Sequence, residues 1–476
     1  MRSFAIAAVI FAAAATSVAA QETPTEREAA KDVLRKMGTL EQSLDVPGWV
    51  AKLTAPNAAR DQVAARAKEL MDKELLAMGD DITRHPEIGF VEFESIKKLT
   101  DYLKAHDFTV EMGVAGLKTA FVARYNKNNG APNLGIILEY DALRGTKGAF
   151  HGDQHSTQGP IGMAAGIAMA EYLTKNHLPG SVIMYGTPGE EMMPPAAKVQ
   201  MFKAGVFKDA DIIVRSHSSS ATSRAAAGFG SCCLNINGTK YTFSGAPAHQ
   251  MTAWNGRNAL TAAIHLFDNI DGLRSNIRPE SRVQGIIPEG GAAPNVVPDH
   301  AVADFYIRYP DAIYLEQLTK MIDDAARAAA LGTGTKVKID HYGEMRDGVS
   351  EATLAEVAFA YLKKFGATNV LAEPSKAAGF EETGMVASAM PGVGFDAQTS
   401  NNPNHTYEML ADAYTEVGHK GFVTDAQAMA SLLFDFATHP DYRAAVKKEF
   451  EGIHALFGEY QEALKKVYTL PVVPEP

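Results

Sequence analysis

Carboxylates and imidazoles gather in a few short stretches of this 476-residue chain. They are Glu139-Tyr140-Asp141, His151-Gly152-Asp153-Gln154-His155, Gly186-Thr187-Pro188-Gly189-Glu190-Glu191 and Arg215-Ser216-His217. A further His405 ends Asn401-Asn402-Pro403-Asn404-His405. Imidazoles and carboxylates converging without cysteine suit zinc, manganese or cobalt. Five or so ligands exceed what one open catalytic zinc needs. Two metals about 3.5–4 Å apart, sharing a water, would use them. The adjacent pair Glu190-Glu191 suggests a division of labour, one carboxylate on metal and the other taking a proton from water. Each stretch alone reads as ordinary: a polar His-x-Asp-x-His loop, a commonplace Glu-Glu, a core histidine at His217. Their conjunction carries the inference. Nucleophile chemistry is weakly supported, with no Gly-x-Ser-x-Gly and no cysteine near a histidine in sequence. No glycine-rich phosphate loop appears.

The elements that must position these groups are short apolar strands alternating with helices. Leu134–Leu138, Ser181–Tyr185 and Asp211–Val214 read as buried strands, and helices are expected over 159–172 and 194–204. This alternation implies a mostly parallel sheet covered on both faces, with ligands gathering beyond the carboxyl ends of its strands. The stretches from Glu139 to His217 follow three consecutive strand ends, and His405 lies in a loop. Residues 22–80 read as helical, broken at Pro56. Around 230 the pattern changes. Two strands joined by an Asn237-Gly238 hairpin, a helix over 256–270, strands at 283–287 and 301–308, a helix over 313–330 and a strand at 336–341 follow. That order contains the split βαβ of ferredoxin-like domains. Helices at 352–364 and 419–436 return to the first grammar. The fold class is therefore α/β, a mostly parallel catalytic sheet with an inserted ferredoxin-like α+β domain. The expected divisions are 21–80 helical, 81–230 and 344–470 catalytic, and 231–343 inserted.

Composition narrows the field. Hydrophobic residues make up 46% and charged residues 21%, which excludes a disordered or fibrous chain. Lys and Arg number 45 against 56 Asp and Glu, a net charge of −11, so no basic footprint for nucleic acid or an anionic membrane exists. The two cysteines, Cys232 and Cys233, are adjacent, which excludes a disulfide framework and a cysteine zinc site. Arg2, the apolar run Phe4–Ala15 and Val18-Ala19-Ala20 make residues 1–20 a signal peptide, with cleavage expected after Ala20. The mature protein is expected in a periplasm or secreted, with no membrane association once the signal is removed.

Taken together, these motifs resemble the M20 metallopeptidases, closest to the amidohydrolase branch with aminobenzoyl-glutamate hydrolase and the hydrolases of amino-acid-conjugated auxin. His85-Pro86-Glu87-Ile88-Gly89-Phe90 resembles H-P-E-L-G-F, Glu139–Leu143 resembles E-Y-D-A-L, and His151–His155 takes the place of H-A-C-G-H. Gly186–Glu191 stands for G-T-P-A-E-E, Ser244–His249 for G-K-P-A-H, and Pro294–Asp299 matches P-N-V-V-P-D. His405-Thr406 and His419-Lys420-Gly421 complete the pattern, which runs from about 80 to 437. The resemblance implies that Asp153, His155, Glu191, His217 and His405 hold two divalent metal ions, zinc or manganese with cobalt possible. It implies that Glu190 is the general base and Asp141 a buried acid orienting the site. His249, Asn295 and Arg308 resemble lid residues that bind the substrate carboxylate or oxyanion. The inserted domain would be a lid that also makes a homodimer, and His249 in this family often serves the partner's site. Asp153 stands where the branch has a metal-binding cysteine. Met385 and Ala387, in Phe380–Ala387, stand where the branch is polar. The expected activity is cleavage of the amide of an N-acyl or N-aroyl amino acid or a similar small conjugate. The alternatives are a carboxypeptidase or dipeptidase of the same mechanism, and a periplasmic binding protein on an inactive hydrolase scaffold. An intact Glu190 argues against the last.

Overall fold

A computed structural model describes residues 24–126, 129–229, 234–374 and 383–469. The expected signal peptide, both cysteines and Phe380–Glu382 lie outside the described residues. The strands used below are β1 (Thr109–Met112), β2 (Phe121–Tyr125), β3 (Asn133–Leu138), β4 (Ser181–Gly186), β5 (Ile212–Ser219), β6 (Ser223–Arg224), β7 (Asn235–Ser244), β8 (Arg282–Glu289), β9 (His300–Tyr309), β10 (Lys336–Met345) and β11 (Gly392–Gln398).

A seven-stranded sheet runs β1-β2-β4-β3-β5-β11-β6. Its centre is parallel, β4 with β3, β3 with β5 and β5 with β11, and antiparallel strands close both edges. The apolar runs that mark β3 and β4 in sequence are buried throughout, because helices cover both faces. Alternation divides them. Leu134, Ile136, Leu138, Val182 and Met184 face one layer, with helices Ala58–Leu70, His155–Lys175, Ala352–Lys364 and Glu416–Thr438. Ile137, Ile183, Tyr185 and Ile213 face the other. Each such side chain contributes about 1.5–3 kcal/mol on burial. Helix His155–Lys175 lies close on the sheet because of its glycines. A Cβ at Gly162 would sit 2.3 Å from Leu138 Cδ2, and one at Gly166 2.5 Å from Met184 Cε. That contact fixes the helix whose first residue is His155. The helical N-terminal segment does break at Pro56, and Asn57 caps the next helix by accepting from the Ala59 and Arg60 N–H groups.

The inserted domain is a four-stranded antiparallel sheet ordered β8-β9-β7-β10, with helices Ala259–Leu273 and Ala312–Thr333 on one face. This is the ferredoxin-like β-α-β-β-α-β arrangement. It differs from expectation at Asn237-Gly238, which is no hairpin but lies inside continuous strand β7. Tertiary packing overrides the turn signal. Asn237 donates to Thr319 Oγ1 at 2.9 Å, and the Tyr342 ring occupies the space a Cβ at Gly238 would need. A register shift at Gly238/Thr239 absorbs the irregularity.

Helix Pro440–Val467 is absent from the sequence reading. Its first half packs on the catalytic body, where Tyr442 donates to Thr353 O at 2.8 Å. Its second half joins the lid core through Ile453, Tyr460 and Leu464, and the Tyr468 hydroxyl beyond it donates to Asp311 at 2.9 Å. The helix thus straps the lid to the body. Among the described residues no helix is long and apolar enough to cross a membrane.

Candidate metal centre

The parallel strands end on one side of the sheet, and the chemical stretches follow those ends. Asp141 lies just past β3, Asp153 and His155 lie between the β3 end and the helix starting at His155, Glu190 and Glu191 follow β4, and His217 is near the end of β5. His405 comes from the loop beyond β11, a strand the sequence reading did not find. Among the described residues three overlapping groups of donor atoms result. Asp153, Glu191 and His405 form one, with His405 Nε2 3.0 Å from Asp153 Oδ2 and 3.7 Å from Glu191 Oε2. Glu139, His155 and His217 form a second, with the two histidine Nε2 atoms 3.1 Å apart, and His155, Glu190 and Glu191 form a third. Asp153 Oδ2 is also 3.9 Å from His217 Nε2, so this carboxylate stands between the first two groups. Glu190 and Glu191 both lie within reach of His155.

The histidine pair tests whether a metal fits. His155 Nδ1 faces Asp141 Oδ1 at 3.1 Å, and His217 Nδ1 faces the Ser218 carbonyl at 2.8 Å. Both partners only accept, so each Nδ1 carries the hydrogen and each Nε2 presents a lone pair. Two lone pairs at this distance repel unless a cation or a proton lies between them. The first group makes the same demand. Burial and then neighbouring Glu190 push Glu191 up to about 10, and its buried Oε1 has no hydrogen-bond partner. Burial would also raise Asp153, yet its hydrogen bond with His405 holds it below the usual carboxylate range. The His405 side chain is 60% exposed, so this group opens to the cleft. The residues present fit two divalent cations, with carboxylate and imidazole donors suited to zinc or manganese.

Asp141 bridges the halves. Its Oδ1 meets His155, and its Oδ2 accepts the Glu191 N–H at 2.9 Å. Glu139 is not among the site residues expected from sequence, although alternation along the strand end puts it on the same side as Asp141. Glu139 Oε2 is 3.6 Å from His155 Nε2. Burial would raise Glu139, but Arg215 at 3.1 Å and Lys198 at 2.5 Å overcome this and hold it well below the carboxylate range. With two cations on one carboxylate, Glu139 serves as a buried counter-ion beneath the histidine pair. His151 is fully buried too, and burial lowers it to about 3, so it stays neutral.

The lid residues divide. The β-bridge His249–Val296 and the Gln250 N–H bond to Asn295 O bring His249 and Asn295 together, both exposed. Arg308 lies at the opposite end of β9, eight residues beyond His300, or about 26 Å along the strand. Its strand partner Ile236 packs with Met193, Met385 and Tyr306, beside the Glu190-Glu191 turn. One chain therefore does not fold Arg308 and Asn295 into a shared cleft.

A family model for the M20 peptidase dimerisation domain matches residues 233–333. The Xaa-Arg dipeptidase of Mus musculus is 28% identical over 424 residues, 84% of this chain and 94% of that protein. One of the p-aminobenzoyl-glutamate hydrolase subunits of Escherichia coli K12 is 31% identical over 306 residues, 61% of this chain and 62% of that protein. Among solved structures, a dinuclear metal-binding peptidase of the M20 family from Bacillus subtilis shares the fold, with a TM-score of 0.53 at 18% identity over 78% of this chain and 99% of that one. Together with the clustered donors, these matches make the chain a metal-dependent hydrolase whose inserted domain is similar to the M20 peptidase dimerisation domain.

Proposed function

We propose that this hydrolase is exported, binds two divalent metals, and cleaves the amide of an N-acyl or N-aroyl amino acid or a similar conjugate. The observation that carries the reading is the junction of two donor groups at Asp153, with Glu190 alongside. The metals, when bound, would acidify water and polarise the scissile carbonyl. Asp153, Glu191 and His405 would hold one, and His155 and His217 the other, with Asp153 shared. Glu190 takes the proton of the attacking water and returns it to the leaving amine, while Asp141 fixes the His155 tautomer and the Glu191 backbone. His249 stabilises the developing oxyanion.

The split of the lid residues supports a homodimer. Arg308 serves its own subunit's cleft, and the partner subunit's His249 and Asn295 complete it. Active protein is expected to sediment as a dimer at micromolar concentration; a fully active monomer overturns this. A dipeptidase reading is favoured by the longer match to the Xaa-Arg dipeptidase. Assaying 4-aminobenzoyl-glutamate and N-acetyl amino acids beside Xaa-Arg dipeptides tests both readings, and turnover of the dipeptides alone rejects the first. Export is tested on the periplasmic or secreted protein, whose N-terminus should be Gln21.

Arg308 should read a free substrate carboxylate, since a charged hydrogen bond contributes roughly 1.5–3 kcal/mol. Amidating that carboxylate is expected to lower kcat/KM about ten- to a hundredfold. Arg308→Ala should do the same and barely distinguish acid from amide. A variant that still prefers the acid as strongly as the parent assigns recognition elsewhere.

A further inference from the structure

Glu92 is fully buried and immediately precedes helix Phe93–Ala105, at the position where a short polar side chain would ordinarily cap the helix. It makes no cap. Glu87 does so instead, accepting from the Glu94 N–H at 3.1 Å and the Ser95 N–H at 2.8 Å. The Glu92 carboxylate turns the other way, and its Oε1 accepts the Gly189 N–H at 2.9 Å. The surrounding segment is moulded to the same turn. Phe90 adopts φ +68° and lays its ring against Gly189, where a Cβ would meet ring atoms at 2.5–2.9 Å; Gly189 itself has φ +64°. A Cβ at Gly89 would sit 2.6 Å from Gly189 Cα. The same segment pairs with the turn after Asp141, through the Ala142 N–H to Glu87 O at 2.9 Å and the bridge Ile88–Ala142.

Glu190 therefore lies between two backbone N–H groups, at Gly189 and Glu191, each held by a carboxyl group. Glu92 grips the Gly189 N–H, and Asp141 grips the Glu191 N–H. We infer that Glu92 is a positioning residue that fixes Glu190 through the Gly189 peptide, an inference that rests on Glu190 being the base. Packing alone does not call for a carboxyl here, because burying one is costly unless it is hydrogen-bonded.

The test compares Glu92→Leu, Glu92→Gln, Glu190→Gln and the double variant Glu92→Leu/Glu190→Gln in the full-length, metal-loaded enzyme. The probe is whichever of 4-aminobenzoyl-glutamate or an Xaa-Arg dipeptide the parent turns over. An ångström of misplacement costs on the order of 10²-fold. Glu92→Leu should therefore lose about 10- to 100-fold in kcat, with KM within about twofold and metal content unchanged. Glu92→Gln retains an acceptor and should recover most of the loss. The double variant should be no slower than Glu190→Gln alone. Glu92→Met replaces Leu if circular dichroism shows the Leu variant unfolded. Full-speed turnover in folded Glu92→Leu, or losses that multiply in the double variant, overturn the role of Glu92 while leaving Glu190 as the base. Parental turnover in Glu190→Gln rejects the base itself, and with it this inference.

Discussion

Chelator-stripped protein should lose hydrolysis by at least about 10³-fold, because metal polarisation supplies several kcal/mol to the transition state and each 1.36 kcal/mol is tenfold. The side chains give a structural reason. Without a cation, the His155 and His217 Nε2 atoms, 3.1 Å apart, need a proton between them, and Glu191 is crowded by Glu190 on one side and Asp153 on the other. Adding zinc, manganese or cobalt should restore turnover. Binding to the folded state alone should also raise the unfolding temperature, since a ligand at a hundred times its Kd adds about 2.7 kcal/mol. Both readouts should fall and recover together. Full activity in protein shown to be metal-free by elemental analysis would reject a metal-dependent mechanism.

How much of this centre was legible in the sequence follows from the kind of signal each element gives. Strands β3 and β4 and the start of β5, residues 212–214, are short apolar runs buried on both faces, so they stand out, and the acids and histidines after them could be assigned to one end of a sheet. Strand β11, Gly-Val-Gly-Phe-Asp-Ala-Gln, hides because only Val393, Phe395 and Ala397 are apolar and glycines fill the gaps. His405 could be counted, but the strand that delivers it could not be seen. Helix Pro440–Val467 hides for another reason. Its buried positions are divided between body and lid, and Glu449 interrupts the stripe because it caps the Ala352 and Thr353 N–H groups. Glu92 and Glu139 look like any other carboxylates until their partners are known. Family resemblance supplied the lid residues, and only the length of β9 separates Arg308 from His249 and Asn295.

The adjacent glutamates offer the sharper experiment, because neighbours in sequence should fail in different ways. Glu191 faces His405 at 3.7 Å, and its backbone is tied to Asp141. Removing its charge takes away one of three donors to that metal, so Glu191→Gln should lose metal, and activity with it. Glu190 groups with His155 and Glu191 but belongs to neither the group with His217 nor the group with His405. Glu190→Gln keeps size and hydrogen-bonding shape but cannot take a proton. It should retain two metals per chain while kcat falls about 10²- to 10⁴-fold, the usual share of general acid–base catalysis. KM should change little, because the lost interaction belongs to the transition state. Metal content and kcat measured on the same preparations separate the two roles. Should Glu190→Gln lose metal, or Glu191→Gln keep it and turn over, the roles would have to be exchanged. The Asp141 tether on the Glu191 peptide would then serve the base rather than the metal ligand.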